Sequence, residues 1–179
     1  MFGFKKKSVP KELVAVVDGT LIPIEEVKDP VFSQKMMGDG YAIISSGDTI
    51  CACADGEVTM VFPSGHAVGL TLSDGMEILM HIGIDTVNEN GNGFTCLCTK
   101  GQQVHSGDPL IKIDRAYLEG KGYDLSVIVI FTKADAYKSF ENFPEELFQY
   151  ADYLTPNEVE LFKLANMKAG SSISATYTR

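Results

Sequence analysis

The stretch from Ser64 to Asp85, SGHAVGLTLSDGMEILMHIGID, limits what this chain can fold into more than any other. Two runs rich in apolar and β-branched residues, HAVGLTL and MEILMHIGI, flank Ser73-Asp74-Gly75. An Asp-Gly between such runs is a strong hairpin signal, because tight hairpin turns need positive φ. A two-residue Asp74-Gly75 turn pairs Ser73 with Met76, puts His81 opposite Val68 and leaves His66 one diagonal step away. On that register both imidazoles share a face. Diagonal neighbours lie roughly 7 to 8 Å apart, close enough for two rings to converge on one small anion or one metal. A slip of one residue would put them on opposite faces.

The rest of the sequence supplies partners for such a hairpin. LVAVVDGTLIPI, YAIISSGDTICACADGEVTMVF, GFTCLCTKGQQVHSGDPLIKID and YDLSVIVIFT are short β-like runs punctuated by Gly and Asp. This texture predicts an all-β antiparallel sandwich or barrel. Val17-Asp18-Gly19-Thr20-Leu21 echoes Ala54-Asp55-Gly56-Glu57-Val58, and Ser46-Gly47-Asp48 echoes Ser106-Gly107-Asp108, as in a duplicated β motif. The segment EEVKDPVFSQKMMGDG reads as a loop broken at Pro30, Gly38 and Gly40, with Val31, Phe32, Met36 and Met37 as a plug over a sheet face or a docking surface. Residues 1–10 read as a flexible tail, 11–136 as the β domain, and 137–179 as a helical extension packed on the same domain. In that extension Pro144–Leu154 has helical spacing, Thr155-Pro156-Asn157-Glu158 forms a capping box for a helix over Pro156–Lys168, and Ile173, Ala175 and Tyr177 alternate as a last strand.

Composition narrows the function. Fifteen Lys+Arg against 24 Asp+Glu give a net charge of −9, which argues against a nucleic-acid groove and suits a basic protein partner. The apolar runs fall far short of the ~20 residues a spanning helix needs, and MFGFKKKSVP has no apolar export core, so a cytoplasmic location with weak or no membrane contact is expected. Cys51/Cys53 and Cys96/Cys98 form two C-x-C pairs. In a reducing compartment these read as small buried hydrophobes rather than as disulfides or a four-thiolate zinc site, which favours C-x-x-C spacing.

Three chemistries fit the histidine pair. A neutral imidazole can attack phosphorus and form a labile phosphohistidine, with the second ring donating to the phosphoryl oxygens. Alternatively the pair could bind zinc, for which Asp85 or His105 would be doubtful third ligands. General acid–base hydrolysis is the third, but no nucleophile or oxyanion motif accompanies it. His105, in the turn-like VHSGD, reads as structural.

Asp18-Gly19, Asp29-Pro30-Val31-Phe32, Met37-Gly38-Asp39-Gly40-Tyr41, Gly65-His66-Ala67, Leu79-Met80-His81-Ile82-Gly83-Ile84-Asp85-Thr86-Val87 and Gly107-Asp108-Pro109-Leu110 together resemble the glucose-type enzyme IIA of the bacterial phosphoenolpyruvate-dependent sugar phosphotransferase system. The resemblance covers about residues 13 to 136. It implies a β-sandwich of duplicated hybrid motifs and a phosphocarrier in which His81 accepts the phosphoryl group. It also implies that His66 orients and stabilises that group, that Ser64 lies near the acceptor's other ring nitrogen, and that Asp85 lies at the rim. In such proteins the group arrives from the phosphocarrier HPr and leaves to a cysteine of the IIB domain of a glucose-type permease. Val31, Phe32, Phe62 and Leu79 then match an apolar collar that partners cover, with Asp29 as acidic rim. No cofactor is required, although zinc held by His66, His81 and a partner's carboxylate is known in the family. A regulatory or zinc-linked binding module without phosphoryl turnover is the alternative. The chain departs from the family pattern at Gly69, at Asn88, in its cysteines and beyond Ala136.

Overall fold

Short strands buried on both faces, rather than helices, organise this protein. The computed structural model describes residues 11–73, 75–132, 166–167 and 172–175. In chain order the strands are β1 (Lys11–Val14), β2 (Gly19–Pro23), β3 (Asp39–Ser45), β4 (Thr49–Cys51), β5 (Gly56–Val61), β6 (Ala67–Leu72) and β7 (Glu77–Ile82), then β8 (Phe94–Cys96), β9 (Gln103–Val104), β10 (Pro109–Ile113), β11 (Val127–Phe131), β12 (Asn166–Met167) and β13 (Ser172–Ala175). Two short helices, α1 (Pro30–Ser33) and α2 (Arg115–Gly120), and 3₁₀ turns at Ile24–Glu26 and Thr86–Glu89 complete the described residues.

Eight strands form one antiparallel sheet in the order β12-β2-β3-β11-β7-β6-β5-β9, and β4-β10-β8 form a second. Directly paired residues share a face, and the two faces of the large sheet bury different things. One carries Tyr41, Ile43, Val68, Met80, Ile82, Val127 and Val129 against Ile50, Leu110, Ile111 and Ile113 of the small sheet, which makes the sandwich core. On the other face Ala42, Ala67, Leu79, Ile128 and Ile130 are capped by Ile24, Val27 and Phe32. The all-β antiparallel sandwich read from the sequence is the fold observed.

The hairpin is present, but its turn has three residues rather than two. The Leu72 N–H donates to the Met76 carbonyl and the Gly75 N–H to the Leu72 carbonyl, each at 2.8 Å, with Gly75 at φ 89°. This is the next commonest hairpin connection after the two-residue turn. It shifts the register by one, so His81 pairs with Ala67 and Val68 with Met80.

Two further expectations change. The segment read as a loop around Pro30 contains α1, because the Asp29 carboxylate accepts from the Val31 N–H at 2.7 Å and Pro30 takes the first helical position, where its missing N–H costs nothing. Phe32 there is the expected plug, 5 % exposed, while Val31, Met36 and Met37 stay exposed. The helix expected to run to Lys168 does not: Asn166–Met167 is extended and pairs with Thr20 and Gly19, an edge whose backbone groups recruit a strand. The rest of that helix, its capping box, Pro144–Leu154 and the N-terminal tail lie outside the described residues. The last strand includes Ile173, paired with Leu13 of β1.

After β7 the chain must turn sharply, and Gly83 makes this possible. Its φ is +75°, and a Cβ there would sit 2.4 Å from Thr86 Cγ2 and 3.0 Å from the Asp124 carbonyl oxygen. Gly83→Ala is therefore expected to lower stability by roughly 2 kcal/mol or more, read as a lower urea midpoint at unchanged slope.

Candidate functional site

His81 is carried by a strand with partners on both sides, Ala67 of β6 and Ile128 of β11. It therefore points to the same face as Leu79, Ala67 and Ile128, at the open end of the hairpin away from its turn. His66 lies one residue before β6. With the observed register, strand alternation alone would send the two rings to opposite faces.

They converge because His66 is not in the pleat. The Gly65 N–H donates to the Phe62 carbonyl at 2.8 Å and the Phe62 N–H to the Ala67 carbonyl at 3.0 Å, which closes a tight loop before β6. Gly65 stands at φ +67°, and a Cβ there would meet Phe94 Cβ of the opposite sheet at 2.8 Å. That turn re-aims His66 toward His81 while the His66 carbonyl still accepts from the Ile82 N–H at 2.7 Å.

The result is a row of four rings. Centroids are 4.9 Å apart for Phe32 and His81, 5.1 Å for His81 and His66, and 5.1 Å for His66 and Phe62. The His66–His81 pair meets edge to face at 74°. His66 is 7 % exposed, and His81 is half-buried. Burial lowers the pKa of His66, and burial followed by the neighbouring His66 lowers that of His81 to about 4. The Gly83 backbone and the carboxylates of Asp29 and Asp85 pull His81 the other way without offsetting the burial. Both rings are thus neutral near pH 7, and the reactive lone pair is free.

This shift has a sign for stability. Between pH 6.5 and about 4 the unfolded chain takes up a proton at residue 81 that the folded chain refuses, so stability due to neutral His81 is complete above 6.5 and is lost as the pH falls. The full loss is about 3 kcal/mol. Urea melts at pH 7 and pH 4.5 should therefore differ less for His81→Gln than for the wild type.

The ring nitrogens are not equivalent. His81 Nδ1 is buried, so the other nitrogen, Nε2, is the one left for chemistry. His66 Nδ1 lies 2.5 Å from Ser64 Oγ. Ser64, expected beside the acceptor's second nitrogen, thus contacts His66 rather than His81. With the Ser64 hydroxyl donating, His66 carries its proton on Nε2 and can offer it to an anion.

Asp85 follows β7 at φ 59°, ψ 10°, ahead of the 3₁₀ turn Thr86–Glu89, and Asp29 caps α1. Of the expected apolar collar, Phe32 and Leu79 are 5 % and 8 % exposed and support His81 from within, Phe62 is half-buried, and Val31 is exposed. Sequence reasoning missed exposed Met60, which stands on β5 opposite Gly69, itself paired with Leu79. A Cβ on Gly69 would lie 3.2 Å from Met60 Cβ, so Met60 fills the side-chain space this glycine leaves.

His105 is exposed near Asp108 at the hairpin's far end, apart from the pair. Among the described residues no group of three or more His, Cys, Asp or Glu could hold a metal ion. Cys51, Cys53 and Cys98 are buried, Cys96 is exposed and all four are free. Burial, with nearby Asp18 and Asp108 for Cys51 and Cys96 for Cys98, raises the pKa of both thiols, so neither is an activated nucleophile. No helix among the described residues is long and apolar enough to cross a membrane.

Known proteins carry the same arrangement of sequence. The family described as phosphoenolpyruvate-dependent sugar phosphotransferase system, EIIA 1, matches residues 11–137. The chain is similar to a glucose-specific EIIA component of that system from Halalkalibacterium halodurans, 41 % identical over 79 % of this chain and 86 % of that protein. It is also similar to a glucose-specific EIICBA component from Streptococcus pneumoniae, 42 % identical over 74 % of this chain, of whose length it spans only 18 %. Among solved structures, glucose permease IIA from Mycoplasma capricolum is similar with a TM-score of 0.66 and 39 % identity, over 74 % of this chain and 84 % of that one.

Proposed function

Because this chain belongs to the EIIA 1 family of the phosphoenolpyruvate-dependent sugar phosphotransferase system, we propose that it carries a phosphoryl group on His81 Nε2 between HPr and the IIB cysteine of a glucose-type permease. The observation that carries this reading is the neutral, half-buried His81 with its buried Nδ1, ring to ring with His66.

The step balances simply. The His81 Nε2 lone pair attacks phosphorus in line as the donor's N–P bond breaks, and the donor histidine leaves with the electron pair. In the second transfer a thiolate attacks phosphorus and His81 leaves. Charge resides mainly on the three equatorial oxygens, so positioning and donors do most of the catalysis. His66 Nε2–H, fixed by Ser64 on Nδ1, is such a donor. Phe32 and Phe62 brace the two imidazoles and keep water from their outer faces.

Partners dock around this row. The net charge of −9 suits basic surfaces, and complementarity of that kind mainly speeds encounter. Val31, Phe62 and Asp29 form the contact surface, with Phe32 and Leu79 beneath it. Regulatory proteins could use the same face. There the two histidines would give zinc two nitrogens, and a partner's carboxylate would have to complete the site. The protein acts in the cytoplasm, where HPr is found.

Incubation with phosphoenolpyruvate, the first phosphotransferase enzyme and HPr tests the reading. One acid-labile phosphoryl group per chain, passed on when IIB is added, is the expected result. A chain that stays unlabelled while HPr is phosphorylated overturns it.

A further inference from the structure

We propose that Glu89 is a positioning residue for the phosphoryl site: its carboxylate, gripped by the hydroxyls of Tyr117 and Tyr123, holds the segment Asp85–Asn88 in place beside His81. The inference rests on the phosphocarrier reading above and adds three residues to it.

The segment that follows β7 is not held by a strand ladder. Gly83, Asp85, Asn90, Gly91 and Gly93 all take positive φ within eleven residues. For Asp85 and Asn90 such a backbone persists only where surrounding contacts over-determine it. At the near end the contact is Thr86, fully buried, whose hydroxyl donates to the Ile82 carbonyl at 2.5 Å. At the far end it is Glu89. Tyr117 of α2 donates to Oε2 at 2.6 Å, and Tyr123, on the approach to β11, donates to Oε1 at 2.8 Å. Both carboxylate oxygens are therefore engaged, by side chains 28 and 34 residues away.

Such charge-assisted bonds are the strong kind. The two hydroxyls hold Glu89 below the usual carboxylate range, and Glu89 holds both phenols above theirs. The grip is thus intact throughout the neutral range. It also reaches the site. The Asp85 carboxylate is near enough to act electrostatically on both Tyr123 and His81. The Ile84 N–H donates to the carbonyl of Asp124, next to Tyr123, at 2.8 Å, which ties the same two stretches together by their backbones. Between the two anchors, Val87 is 46 % exposed and is the apolar side chain this segment offers to an arriving partner.

Glu89 touches no reacting atom, so its loss should loosen docking rather than abolish chemistry. The test varies phospho-HPr and follows transfer to the Tyr117→Phe/Tyr123→Phe double variant, which keeps both rings and removes both donors. The expected result is a KM raised about tenfold with kcat within about twofold. Glu89→Ala should match it, and combining the changes should add nothing further. Glu89→Gln, whose one carbonyl oxygen can accept while its NH₂ cannot, should fall between. Amide resonances of Asp85–Val87 and the His81 ring resonances should move in the double variant. A wild-type KM with unmoved resonances overturns the proposal, and so does a lower melting point with KM unchanged, since that is a merely structural role. Failure of the wild type itself to become labelled would instead overturn the phosphocarrier reading.

Discussion

His81→Gln should lose acid-labile phosphoryl labelling altogether, a fall of roughly 10⁶-fold or below detection, the scale reached when a covalent nucleophile is removed. The glutamine amide nitrogen has its lone pair delocalised into the carbonyl and cannot attack phosphorus. Phe32, whose ring centre lies 4.9 Å from the imidazole centre, can pack against a side chain of similar length. Burial already penalises any charge at residue 81, so replacing the ring by a neutral amide should leave the protein folded at pH 7. Intact mass after exhaustive phosphorylation decides the matter. Label that survives in this variant would place the acceptor on His66 or His105 and end the present assignment.

His66→Gln should separate accepting from passing. Its ring centre lies 5.1 Å from that of His81, and removing one preorganised donor to a developing charge costs about 10²- to 10³-fold in rate. A step slowed that much still reaches completion when labelling is followed to its end point. Flux through the protein, read as IIB phosphorylated per minute, exposes the whole loss. The variant is therefore expected to carry a full phosphoryl group and to pass it on at about a hundredth of the wild-type rate. Equal rates in variant and wild type would remove His66 from the mechanism. Ser64→Ala should show a smaller loss in the same assay, because it disturbs only the tautomer of His66.

The fold class was legible because it depends on texture: β-branched runs between Gly-Asp turns have few other ways to bury their apolar faces. The hairpin was legible too, but its register was not. Asp74-Gly75 serves a two-residue and a three-residue turn equally well on paper, and Gly75 at φ 89° closes the longer one. The histidines meet nonetheless, through Gly65, whose positive φ steers His66 out of the strand pattern. That convergence was expected from the sequence for a reason that does not hold, since strand alternation alone would have parted the rings. α1 had its signal in Asp29-Pro30, an N-cap and a first-turn proline, yet Pro30 reads equally as a breaker when the surrounding apolar residues lack periodicity. α2 was missed although Asp114 caps it by accepting from the Tyr117 N–H at 3.0 Å. The grip of Tyr117 and Tyr123 on Glu89 joins residues far apart in the chain, and nothing local in the sequence announces it.

β7 lies inside the large sheet, and its partners run the length of the strand on both sides. The backbone that carries His81 can move only if two ladders open together. Amide hydrogens of β7 and β11 should accordingly be among the slowest in the molecule to exchange with solvent, and as slow in the phosphorylated form as in the free one. A carrier so built keeps what it receives in a single nitrogen–phosphorus bond and none of it in a deformed chain. Discharge then requires no relaxation of the protein, and the traffic can run in either direction as the supply of donor and acceptor dictates.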